Sequence, residues 1–206
     1  MLTAMATRKP TAKSKPVAKA KPVAKPKPVA KAKPAAKPTP TAKPTPPVAA
    51  TDGPRCWLMK SEPDAFSIDD LQRKRSSGWD GVRNFMARNH MDAMRVGDRV
   101  LFYHSSCNPP GVAGLARVVR EAHPDPTAFD PSSPYFDPRS DPAKPRWRMV
   151  EVEFVAKLPQ PVTLAAIRDT AELADMVLLR AGRLSVQPVT REAYEHIVRM
   201  GGLQPG

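Results

Sequence analysis

The sequence predicts an α+β domain built around a small mixed or antiparallel β-barrel with short flanking helices, preceded by a disordered tail. Three observations carry this. Residues 1–54 hold twelve of the 33 basic side chains and one of the 20 acidic ones, Asp52, a formal charge of +11 against +2 for the rest. The same residues contain 12 of the 26 prolines and no Trp, Tyr or Phe, so they cannot bury enough apolar surface to offset the entropy of ordering. Residues 55–206 mix short strand-like and helix-like stretches with no regular strand–helix–strand alternation, which points away from a doubly wound sheet. A body of this size buries roughly two thirds of its unfolded surface and needs no disulfide staples.

The tail repeats a loose Lys-Ala-Lys-Pro unit, with Lys25, Lys33 and Lys37 along it. Proline holds itself and the residue before it out of the helical region. The chain there is expected to be extended and polyproline-like, with spread ammonium groups that replace counterions on a polyphosphate. Its composition resembles the tails of linker histones and bacterial histone-like proteins. The alternative is a solubilising linker.

In the body, Cys56–Lys60 is a short apolar run and reads as a first strand. Ser67 then caps a helix whose first turn carries Asp69 and Asp70, and Ser76-Ser77-Gly78 stops it. A second helix opens at Asn84 and buries Ala87, Met91 and Met94. Gly97-Asp98 is a turn. Arg99–His104 is a strand with Val100 and Phe102 on one face and Leu101 and Tyr103 on the other. Val112–Val119 is another strand, in which Gly114 marks a bulge or a close backbone approach.

Residues 121–146 form a connection too long to be structureless, and Phe129, Tyr135 and Phe136 are expected to pack it down. Asp125, Asp130, Asp137 and Asp141 each adjoin a proline and read as turn formers, not calcium ligands. Met149–Phe154 alternates as a half-buried antiparallel strand. Helical stretches at 164–168 and 172–179, a short strand at 184–186 and a helix from Thr190 to Arg199 complete the body. The last helix shows the stripe Ala193, Tyr194, Ile197, Val198, and Gly201 closes it.

Several classes fall away. No run of 18 apolar residues exists to span a membrane, and no apolar segment follows the N-terminal basic residues as in a secretory signal. Two cysteines, Cys56 and Cys107, are too few for a disulfide framework. The expected setting is intracellular and reducing, cytoplasmic or nucleoid-associated. The four histidines show no metal-ligand spacing, so neither a metal nor a cofactor is expected. His104 and Ser105 are strand neighbours pointing to opposite faces, no Gly-x-Ser-x-Gly elbow is present, and no phosphate-cradling glycine loop occurs. What remains is a set of polar and aromatic residues at element ends. Trp79 offers a ring for stacking, Asn84 a paired donor and acceptor, Ser61 and Ser105 hydroxyls, and Arg83 and Arg88 contacts to phosphate. The competing reading makes Trp79 and Tyr103 core and Asn84 an N-cap.

Residues 57–63 (Trp-Leu-Met-Lys-Ser-Glu-Pro), 79–89 (Trp-Asp-Gly-Val-Arg-Asn-Phe-Met-Ala-Arg-Asn) and 102–105 (Phe-Tyr-His-Ser) resemble the EVE domain, of the PUA-like superfamily. So do 123–125 (His-Pro-Asp), 145–147 (Pro-Arg-Trp) and 182–189 (Gly-Arg-Leu-Ser-Val-Gln-Pro-Val). The resemblance runs from Cys56 to Leu203 and omits the tail. It implies a compact barrel and a pocket for a single, modified nucleobase of DNA or RNA, with no catalytic apparatus. By position it implies base contacts from Ser61, Glu62, Trp79, Val82, Asn84, Tyr103, His104 and Ser105, with Arg183 and Ser185 nearby. Lys60, Arg83 and Arg88 would meet phosphates, and the chain would act as a monomer. Phe85 stands where many members carry Tyr. Two rival classes are a hydrolase of modified bases or nucleotides using Glu62 or His104, and a small-ligand or protein-interaction module.

Overall fold

The computed structural model describes residues 53–205. The expected disorder of the tail, and the phosphate contacts of Lys25, Lys33 and Lys37, lie outside the described residues. Six strands form one mixed sheet: β1 Cys56–Ser61, β2 Ser76–Gly78, β3 Arg99–His104, β4 Gly111–Pro124, β5 Arg148–Thr163 and β6 Val186–Val189. Their order is β2-β5-β4-β3-β1-β6. β1 and β3 run parallel, and every other pair is antiparallel.

The α+β class stands, but the sheet is open where a barrel was expected. β2 and β6 are its edges, and no pairing among the described residues joins them. At three and four residues, these edge strands offer almost no ladder with which to close. The curvature comes instead from register shifts between β3 and β4 and along β4–β5, since each bulge bends a strand and sharpens its twist. Gly114 sits at one such shift, and a Cβ there would come within 2.5 Å of Ile68 Cγ1. The close approach expected from the sequence is therefore a helix lying on the sheet.

Five helices flank the sheet: α1 Ile68–Lys74, α2 Phe85–Ala93, α3 Leu164–Asp169, α4 Val177–Arg180 and α5 Arg191–Met200. Ser67 closes a capping box with Asp70, and Thr163 and Thr190 cap α3 and α5 through their hydroxyls. Period-two alternation splits the core into two layers. Trp57, Met59, Val100 and Phe102 pack under α1 and α2; Cys56, Leu58, Leu101 and Tyr103 pack under α3, α4 and α5. Burial in the second layer raises the Cys56 thiol pKa to about 11, so that sulfur is a small core side chain, not a nucleophile.

Four local expectations change. Ser76–Gly78 is not merely a helix stop; it pairs with Glu151–Glu153 as β2, and three residues are too few to show a period. The strands bounding the long connection run further, to Pro124 and from Arg148. The stretch at 172–179 breaks into a 3-10 turn at Ala171–Leu173 and α4. The late strand is Val186–Val189, two residues beyond its expected place.

The Gly97-Asp98 turn is an anchor. The buried Asp98 carboxylate accepts from the Arg55 and Arg95 backbone N–H groups and from Trp57 Nε1 at 2.8 Å.

Candidate binding cleft

A cleft of about 510 Å³ opens beside the ends of β1 and β2, within the range of small-ligand sites. Three segments build it. β1 and its exit supply Lys60, Ser61 and Glu62; the stretch between β2 and α2 supplies Trp79 to Arg83; the approach to β6 supplies Ser185. Backbone pairing joins the first and third, with the Lys60 N–H donating to the Ser185 carbonyl at 2.8 Å. Ser61 Oγ donates to the Phe66 carbonyl at 2.7 Å and shapes the turn that presents Phe66 to the cleft.

Trp79 is both core and wall. It is 7% exposed and meets Phe102 edge-on at 5.3 Å. The chain has three tryptophans. The indole N–H of Trp57 donates to Asp98 and that of Trp147 to Asp137, each at 2.8 Å. No acceptor among the described residues meets the Trp79 indole N–H, and this ring lines the cleft. It is a fixed aromatic donor with its hydrogen bond unmade.

Asp125 bolts the opposite wall in place. Fully buried, it accepts from the Gly81 N–H at 3.0 Å, Arg83 Nη1 at 2.7 Å, and the Thr127 N–H and Oγ. Burial pushes its pKa up, but the bonds from Arg83, Thr127 and Gly81 more than offset that, and it lies below the usual carboxylate value. Arg83 also donates from Nε to the Tyr135 carbonyl and from Nη2 to Thr127 Oγ1, and its guanidinium lies over the Tyr135 ring. Tyr135 thereby reaches the cleft from the long connection.

Gly81 makes this approach possible. At φ +72° it turns the chain in the left-handed region, and an added Cβ would fall 2.8 Å from the Tyr135 ring. Gly81→Ala is expected to lower stability by about 1–3 kcal/mol through strain and crowding. It should also displace Tyr135, which differential quenching of tyrosine fluorescence against wild type would detect.

The cleft carries both signs of charge. Burial lowers the Lys60 pKa, and its ammonium donates to the Gly182 carbonyl at 2.7 Å. The Asp80 pKa is raised by desolvation and by the Asp125 carboxylate, against Arg83 and Lys74. Lys74 lies over the Phe66 ring.

Of the residues singled out in the sequence, the structure gathers Lys60, Ser61, Glu62, Trp79, Val82, Arg83 and Ser185 in the cleft. It puts the others elsewhere. Asn84 is exposed, and its Oδ1 is taken by the Met86 and Ala87 N–H groups, so it is the N-cap of α2. Tyr103 is buried in the second core layer, across the sheet from Trp79. His104 Nε2 accepts from the Ile68 N–H at 3.1 Å, which leaves it neutral and structural; burial first, then Lys157, lowers its pKa against the influence of Asp69. Ser105 Oγ donates to the Ser61 carbonyl. Arg183 is exposed outside the lining.

Two of the expected phosphate contacts are cations with partners inside the fold. The guanidinium of Arg83 is spent on Asp125, Thr127 and the Val82 and Tyr135 carbonyls, which makes it a wall brace. Arg88 is committed to Asn89 and the Arg146 carbonyl.

Sequence reasoning missed Phe66, Lys74, Asp80 and Tyr135 as lining residues. For Tyr135 a signal existed, since long irregular connections are commonly functional. The connection is pinned less by its aromatics than expected. Tyr135 and Phe136 are exposed, while Asp125, Ala128, Asp137 and Trp147 are buried. The four aspartates do form the expected turns, each accepting from the backbone N–H two residues on. Among the described residues, no cluster of His, Cys, Asp and Glu could hold a metal.

A mixed sheet sandwiched between short helices, with a polar and aromatic cleft at its strand ends, defines a PUA-like domain. Comparison places it further: the EVE-domain family model matches residues 55–200, and the chain belongs to the EVE family. It is 40% identical over 168 residues to human thymocyte nuclear protein 1, spanning 72% of this chain and 75% of that protein. A solved hypothetical protein from Leishmania major shares 53% identity, covering 72% of this chain and 95% of the other at a TM-score of 0.71. The crystal structure of human THYN1 in complex with DNA containing 5-methylcytosine matches at 39% identity and a TM-score of 0.69. It covers 73% of this chain and 99% of that one. No helix among the described residues is long and apolar enough to cross a membrane.

Proposed function

We propose that this chain is a non-enzymatic reader of a modified nucleobase in DNA, with methylated cytosine as the first candidate. The extruded base enters the cleft, stacks against Trp79 and Tyr135, and is read along its edge by the Ser61 and Ser185 hydroxyls. The observation that carries this reading is the indole N–H of Trp79, unmatched among the described residues, in a lining that mixes polar side chains with the rings of Phe66, Trp79 and Tyr135. The related THYN1–DNA complex supports DNA as the partner. Lysines of the N-terminal tail add sequence-independent affinity for phosphate.

The hydrolase reading, through Glu62 or His104, has less support from the geometry. Glu62 Oε1 accepts from Ser106 Oγ at 2.8 Å, while His104 is bonded away from the cleft. A methyl group in an apolar pocket is worth about 1–3 kcal/mol, so preference for the modified base should be about 10–200-fold.

The test is binding of the full chain to single-stranded oligonucleotides that differ only in one modified base, at about 150 mM salt. Tyr135→Ala, at an exposed position, should weaken the modified strand by about tenfold, as expected for one lost stacking face. Ser185→Ala should reduce the preference and leave the melting temperature within a few degrees. Equal affinity for modified and plain strands across a broad panel would remove the reading. Turnover of a modified nucleoside that disappears in Glu62→Gln would replace it with the enzyme.

A further inference from the structure

The first turn of α2 exposes two large apolar side chains next to the cleft, Phe85 at 49% and Met86 at 54%. Adjacent large apolar side chains exposed together mark a surface suited to an interaction. Below it, Phe85 stacks on Trp147 with ring centroids 4.8 Å apart and planes inclined by 22°. The guanidinium carbons of Arg88 and Arg146 lie 5.0 and 5.8 Å from the Phe85 centroid. Residues 85–95 and 139–148, which flank the pair, carry six basic side chains and two acidic ones, Asp92 and Asp141. Asp137, buried beneath, holds Arg146 at 3.5 Å and Arg139 at 3.5 Å and mutes part of that charge. An apolar tip on an aromatic footing, ringed by guanidinium groups, fits stacked bases between two lines of phosphate.

The tip is mechanically continuous with the cleft. Arg83, in the cleft wall, has its guanidinium over both Tyr135, at 5.7 Å, and Trp147, at 5.5 Å, and Trp147 carries Phe85. Phe85 follows Arg83 by two residues, at most about 7 Å of chain.

We propose that Phe85 and Met86 are a wedge that enters a DNA duplex beside the modified nucleotide and fills the space left when its base swings into the cleft. Extrusion costs the stacking and pairing of the target base. Apolar side chains inserted at a base step replace part of that contact and hold the gap open. Arg88 and Arg146, held in place by Asn89, the Arg146 carbonyl and Asp137, offer their charge and remaining guanidinium donors to the flanking phosphates and fix the depth of entry. This rests on the base-reading cleft, and it adds that the natural target is double-stranded.

The test compares one methylated sequence as a single strand, as a duplex, and as a duplex whose target nucleotide lies in a bulge and is already unstacked. A 2-aminopurine placed beside the target reports opening of the stack. The full chain and its Phe85→Ala/Met86→Ala variant are titrated at about 300 mM salt. The wedge predicts about tenfold weaker duplex binding for the variant, within twofold for the single strand, and recovery on the bulged duplex. The 2-aminopurine signal on the intact duplex should fall with it. Met86→Ala alone, which leaves the Phe85–Trp147 stack untouched, should give a smaller loss of the same pattern. Methyl preference on the single strand together with unchanged duplex affinity in both variants overturns the wedge and leaves the cleft reading standing. Equal losses on single strand and duplex also overturn it, by making the pair a general contact. Absence of methyl preference on the single strand in the unaltered chain removes the cleft reading and the wedge with it.

Discussion

Replacing Asp125 with alanine should unfold the cleft wall and cost about 3–5 kcal/mol, because it removes the buried carboxylate that pairs with the half-buried Arg83 guanidinium and accepts from Gly81 and Thr127 as well. Asp125 holds Gly81, Arg83 and Thr127 at once. Its loss frees the turn at Gly81, the Arg83 brace and, through that brace, Tyr135. For a chain of this length each kilocalorie shifts the midpoint by about 2–4 °C. A drop of about 10 °C or more by circular dichroism, with loss of modified-strand binding, is the expected result. Asp125→Asn should fall between, since an amide keeps the shape and one acceptor but not the charge.

The same carboxylate gives a pH signature. Its folded pKa is depressed, so its contribution is fully present above the unfolded value of about 3.9 and is lost as pH falls through the lower folded value. Wild-type stability should decline through that acidic window, and the Asp125→Asn variant should decline less steeply there. A midpoint change equivalent to under 1 kcal/mol for Asp125→Ala, with binding retained, would show that the wall does not depend on it.

Deletion of residues 1–52 should have the largest effect on affinity while leaving selectivity nearly untouched. Those residues carry twelve basic side chains. If about eight lysines meet phosphates, log K falls against log salt with a slope near −7. Removing them should flatten that slope by about seven and weaken binding to any DNA by orders of magnitude at about 50 mM salt. The ratio of modified to plain affinity should persist under the proposed reading, which assigns it to the cleft. Fluorescence anisotropy across a salt series measures both quantities. An unchanged slope would make the tail a solubilising linker.

Much of the fold was readable from local chemistry. Ser67, Asn84 and Thr190 cap helices where their side chains predict it. The alternation of Val100 to Tyr103 assigns these residues to two core layers as the period requires. The sequence left Trp79 and Tyr103 both as candidates for the cleft; the tertiary structure puts Trp79 in its lining and Tyr103 in the second core layer. β2 and the exact bounds of β6 were not readable, because an edge strand of three or four residues shows no period and is fixed by its partner.

The site was half legible. Trp79, Ser61, Glu62, Val82 and Ser185 were found through the family motifs, and they do come together. Asn84, His104 and Arg83 belong to the same motifs yet serve the architecture, as cap, acceptor and brace. A motif records which residues a fold needs without separating those that touch a ligand from those that hold the wall.

The sequence by itself determined the charge asymmetry between residues 1–54 and the rest, the family, the capped helices and the two-faced strands. The family is carried by the motifs at 57–63, 79–89, 102–105 and 182–189; the rest follows from composition, near-neighbour hydrogen bonding or a fixed side-chain period, none of which needs a distant partner. Only the tertiary structure decided that the sheet stays open, that Tyr135 crosses to the cleft on the Asp125–Arg83 pair, and that the Trp79 indole N–H meets no acceptor among the described residues. Those outcomes depend on groups more than 40 residues apart meeting in space, and no local rule reports where a distant acceptor will lie.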